Sequence, residues 1–147
     1  MAQTTWSGPL ASGDRNAGES GGPNLGFVAL SQTALINFDA TLVQNATFNV
    51  PAGTQLVDYY VDVLTAYDSA TSATLSAGTS SGGTQYLSAI SVKTAGRRSN
   101  AFSAAQLAAM DDVGTNRQVV VTITSVGQPT AGQVRVTMLY VQTAADD

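Results

Sequence analysis

RQVVVTITSVGQPTAGQVRVTMLYVQT, Arg117 to Thr143, holds two runs of alternating apolar and polar residues on either side of a connection that contains Gly and Pro. Alternation with a period of two is the signature of a half-buried strand, and β-branched side chains fit its pleated surface. In the second run Val134, Val136, Met138 and Tyr140 share one face, and Arg135, Thr137, Leu139 and Val141 share the other. The second face is half apolar, more than a sheet open to water needs. Leu139 and Val141 are therefore candidate partner-binding residues.

Working upstream, the same period appears from Gln55 to Tyr67. Strict alternation places Val57, Tyr59, Val61, Val63 and Tyr67 toward the core, and Leu56, Asp58, Tyr60, Asp62 and Leu64 on the outer face. Thr47 to Val50 reads as a short strand stopped by Pro51-Ala52-Gly53. Phe27 to Phe38 reads as one or two strands. Ala73 to Gly78 and Gln85 to Val92, joined through Ser80-Ser81-Gly82-Gly83, read as a hairpin. Lys93 to Asn100, which carries three of the six positive charges, reads as a polar turn. One segment is helical: Ser103 to Met110, with Ser103 as N-cap and Gln106 three residues on completing a capping box, ended by Asp111 to Gly114.

Seven or eight short strands with turns about every ten residues and one short helix predict an all-β fold. The architecture expected is a two-sheet antiparallel sandwich, jelly-roll-like, over residues 26–147. Residues 1–25, MAQTTWSGPLASGDRNAGESGGPNL, are rich in Gly, Ser, Asn and Pro and read as a flexible N-terminal arm. Trp6 and Leu10 are its candidate partner-binding anchors. Trp6 is the single tryptophan, a residue type favoured at interfaces.

The chain has 147 residues, enough for one domain with a sizeable core, and only 11% of them are charged. The usual share is about 25%, so much of the surface is Ser, Thr, Asn, Gln and Gly or is covered by neighbours. A net charge of −4 with six Lys and Arg argues against nucleic-acid binding. No secretory leader and no apolar run of membrane-spanning length appear, so the expectation is a soluble protein made in the cytoplasm.

Histidine and cysteine are both absent, which removes the commonest general base, the usual triads, zinc ligand sets and disulfides. Lys93 follows Ser91 at a spacing of two, unlike the S-x-x-K of acyl enzymes. Gly78 to Thr84 lacks the G-K-[ST] of a phosphate loop. Asp58 and Asp62, four residues apart on a strand, have Cα atoms about 13 Å apart, too far for a glycosidase pair. Their carboxylates read as an outer or interface-facing surface that helps fix register, with a cation site and a pairing with Asp39 or Asp68 as alternatives. For a sugar-stacking platform only Tyr60 and Tyr86 remain, the other tyrosines falling on core faces. The expectation is no enzyme, no cofactor and no metal.

Five segments carry a resemblance: TTWSGPLASGD leading into GFVALSQTA, then FNVPAGTQLVDYYVDV, ATLSAGTSSGGTQYL and VKTAGR. Together they resemble the small structural proteins that decorate or cement the capsids of tailed bacteriophages. The resemblance implies a jelly-roll-like domain on the capsid surface of the virion. It also implies a homotrimer seated between major capsid protein subunits, without enzymatic activity. A head-fibre or tail-fibre module that binds a host surface glycan is the alternative.

Overall fold

A computed structural model describes residues 28–115 and 118–142. The expected arm, with Trp6 and Leu10, lies outside the described residues. Eight strands and one helix follow in the order β1 (Ala29–Asn37), β2 (Val43–Asn49), β3 (Thr54–Thr65), β4 (Ser72–Gly78), β5 (Leu87–Ser91), β6 (Gly96–Arg98), α1 (Ala104–Asp111), β7 (Gln118–Val126) and β8 (Gln133–Gln142).

The strands form two four-stranded antiparallel sheets, ordered β1-β8-β3-β6 and β2-β7-β4-β5. First pairs with last, second with seventh, third with sixth and fourth with fifth. That is one long antiparallel hairpin, its tip at the β4–β5 turn, rolled until β8 meets β3 and β7 meets β4. The two-sheet sandwich expected from the sequence is thus a jelly roll in its strand order.

The core lies between the sheets. Val134, Val136 and Met138 of β8 and Tyr59, Val61 and Val63 of β3 come from one side; Val119, Val121 and Ile123 of β7 and Leu75 and Ala77 of β4 come from the other. Each large side chain buried in this way contributes about 1.5–3 kcal/mol. Phe48, Tyr67, Tyr86 and Met110 extend the same cluster. No helix among the described residues is long and apolar enough to cross a membrane.

Three local readings change. On β3 the pairing slips by one residue between Leu56 and Asp58, so Leu56 is buried while Val57 is 46% exposed. The extra residue of a β-bulge reverses the alternation on one side of it, so strict counting back from Tyr59 assigns both residues to the wrong face. The expected polar turn at Lys93 to Asn100 contains β6, whose three residues pair with Val61 to Val63. Tyr86, a candidate for exposure, is buried.

The helix follows its expected signals. The Ser103 side chain accepts from the Gln106 N–H, and the Gln106 side chain accepts from the Ser103 N–H. The Gln106 amide also donates to the Thr84 carbonyl and to Ser88 Oγ, which ties the start of α1 to the β4–β5 connection. One capping residue therefore closes an end of the sandwich as well as starting the helix.

Candidate functional site

The polar chemistry of the first sheet converges on its outer face. Along β3 the residues after the bulge alternate, so Tyr59, Val61 and Val63 fill the core while Asp58, Tyr60 and Asp62 lie on the other side. Register places Asp62 opposite Arg97 of β6 on one flank and opposite Arg135 of β8 on the other. Leu35 of β1 continues the row beside Arg135.

Asp62 bridges both arginines. Arg97 Nε donates to Oδ1 at 2.6 Å and Arg97 Nη2 to Oδ2 at 3.1 Å. Arg135 Nη2 and Nε donate to Oδ2 at 2.9 and 3.3 Å. The carboxylate is thus forked by one guanidinium and shared with a second, which pins β6, β3 and β8 together on one row. Its side chain is 11% exposed, against 63% for Arg97 and 48% for Arg135. The hydrogen bonds from Arg97 and then Arg135 hold its carboxyl down at about 2, against an ordinary 3.8. Arg97 also lies over the Tyr60 ring, 5.0 Å from its centroid. The ring expected as a sugar platform is therefore partly covered by a cation of its own sheet.

Asp58 does not join this group. It sits opposite Leu139, and its Oδ1 accepts from the Tyr59 N–H at 2.7 Å. Of the two partner residues expected on β8, Leu139 is half-buried between Ser31 and Asp58, and Val141 is buried between Ala29 and Gln55. β8 lies between β1 and β3, so neither residue is on an edge strand of the sheet.

The end of the sandwich formed by the β1–β2, β3–β4, β5–β6 and β7–β8 connections holds two further aspartates. Asp68 accepts from the Thr130 and Ala131 N–H groups and from the Thr130 hydroxyl, which keep its carboxyl at about 2. Asp39 accepts from the Thr41 hydroxyl and N–H, which lower its carboxyl. Both carboxylates thus organise loops. Lys93 donates to the Ser69 and Thr71 carbonyls at 2.7 and 3.5 Å, and Gln128 to the Ala40 carbonyl, so the four connections form one tied platform. Around it Phe38, Leu42, Val43, Leu64 and Val126 are 42–51% exposed.

Among the described residues no group of three or more acidic, His or Cys side chains gathers as a metal site would require. Asp39 and Asp68 each accept from a threonine hydroxyl, and Asp62 is shared by two arginines, so each of these carboxylates is engaged within the loop or sheet that holds it. Sequence reasoning singled out Asp62 but missed both arginines, which lie 35 and 73 residues away and become neighbours only through the rolled topology. No family model matches the chain, and no curated protein matches its sequence.

Proposed function

We propose that the chain is a structural virion protein that decorates and cements the shell of a tailed bacteriophage, bound on the capsid surface between major capsid protein subunits. The observation that carries this reading is a jelly roll, an architecture used in viral shells, on which large apolar side chains stand open to water. Phe38 and Leu42 on the tied loops, and Val43, Leu64 and Val126 at the strand ends beside them, are about half exposed, and such apolar side chains are suited to docking. A rigid platform loses little conformational freedom on binding, so its apolar area is available for affinity. The resemblance of the five sequence segments supports the same reading.

The test is sedimentation of the purified chain with assembled shells of its major capsid protein and with the unassembled subunits. Co-sedimentation with shells, and its loss in a Leu42→Asp/Val126→Asp double variant that keeps its melting temperature, is the expected result. Binding to a glycan array with no binding to shells would replace this reading by that of a fibre module.

A further inference from the structure

We infer that β1 is a self-complementary open edge through which two copies of this chain pair as a two-fold dimer, with Thr33 of one copy opposite Thr33 of the other. The inference concerns association in solution and holds whether or not the chain sits on a capsid.

β1 pairs with β8 on one side, and no described residue pairs with its other side. The free backbone groups follow from the register. The Phe38 N–H donates to the Gly132 carbonyl, which makes these two residues a hydrogen-bonded pair of the ladder. Counting back by two, Ile36, Ala34, Gln32 and Leu30 turn their N–H and C=O toward β8. Ala29, Ser31, Thr33, Leu35 and Asn37 turn theirs away, toward the open edge.

Proteins blunt such edges with charge, proline, bulges or short length. The other edge of the same sheet is blunted in this way, since β6 has three residues and two of them are Arg97 and Arg98. β5, at an edge of the second sheet, is short and pairs with a break in register. Among the described residues two edges keep none of these protections: β2, seven uncharged residues in unbroken register, and the longer β1, nine residues in unbroken register with no charge and no proline. From Ser20 to Val57 the sole charged residue is Asp39.

What fits this edge is the edge itself. With Thr33 on the two-fold axis, Ser31 meets Leu35 of the second copy and Ala29 meets Asn37. The five outward residues then form five pairs exchanging two hydrogen bonds each. The same register sets Leu30, 41% exposed, beside Ile36 of the second copy, and Val28, 46% exposed, beside Phe38. Ile36 is itself buried, so the apolar gain in this alignment comes from the exposed Leu30, Val28 and Phe38. A self-paired edge is used up by two copies, so this contact closes as a dimer, whereas the resemblance implies a homotrimer.

Full-length protein is measured by light scattering across a concentration series, alone and as Thr33→Lys and Thr33→Glu variants. Thr33 is exposed and its hydroxyl hydrogen-bonds the Thr137 hydroxyl at 2.9 Å, outside the core, so neither change disturbs the core. Wild type is expected to show the mass of two chains. Each variant sets like charges directly opposite each other and is expected to raise the dissociation constant up to about fivefold. Mixing T33K with T33E restores a dimer, because only in a two-fold contact centred on this residue do Lys and Glu meet. A wild-type monomer or trimer overturns the inference. So does a dimer that neither variant weakens, or variants that stay monomeric when mixed.

Discussion

Replacing Asp62 by Asn removes the charge on which β6, β3 and β8 converge while keeping its shape. Two regimes bound the cost. Breaking a buried ion pair costs about 3–5 kcal/mol because a charge is left stranded, whereas an exposed pair is worth about 0.2–1 kcal/mol. Asp62 itself is covered, but both guanidiniums are about half exposed or more and return to water when the carboxylate is gone. The lower regime governs, and two such pairs together give a loss of about 0.4–2 kcal/mol. For a chain of this size each kcal/mol moves the midpoint by about 2–4 °C, so D62N should melt about 1–8 °C lower. The pH dependence has a definite sign. The folded carboxyl sits at about 2 and the ordinary value is 3.8, so the stabilisation is fully present above 3.8 and disappears as pH falls through about 2. Thermal unfolding of both proteins at pH 7, 4 and 2, with and without 1 M salt, reads all of this. Equal midpoints at pH 7, a loss above about 4 kcal/mol, or a gap that persists unchanged at pH 2 would refute the bridge as described.

Other substitutions test the fold directly. Leu56→Ala should cost about 2–5 kcal/mol by denaturant unfolding and Val57→Ala less than about 0.5, the reverse of what strict alternation assigns. Gly132→Ala brings a Cβ to 2.4 Å from the Tyr67 ring, and the overpacking should cost about 1–3 kcal/mol, read as a lower midpoint in urea. Ser103→Ala removes the hydroxyl that accepts from the Gln106 N–H and should lower stability by about 1 kcal/mol, with hydrogen exchange accelerated first in α1.

The strands were legible because each is a local pattern. β7 and β8 alternate cleanly over nine and ten residues, and their β-branched content leaves no competing helical reading. The helix was legible for the same reason, its capping box being contained in four residues. What escaped was non-local. The bulge at Val57 leaves no mark in composition, since Leu56 and Val57 are both apolar and only pairing with β8 decides which one turns inward. β6 escaped because three residues are too few for a period; its place is set by Arg97 reaching Asp62, not by propensity. The place of β8 inside its sheet escaped as well, because the sequence cannot say whether a strand lies at the edge of a sheet or between two neighbours.

That last ambiguity also locates the chain's exposed chemistry. In a rolled hairpin the first and last strands pair, and here β8 is also taken in by β3, so β1 is left as the outer member. The charges on the outer face of this sheet lie on the strands beyond β1: Arg135 on β8, Asp58 and Asp62 on β3 and Arg97 on β6, with none on β1 itself. One flank is thus closed by short length and ion pairs, while the other presents uncharged backbone and apolar side chains along nine residues. Strand edges without charge are costly in a protein that must stay apart from its neighbours. Their placement on one side only therefore gives the molecule a direction of association, one that follows from the roll of the chain and not from any single motif.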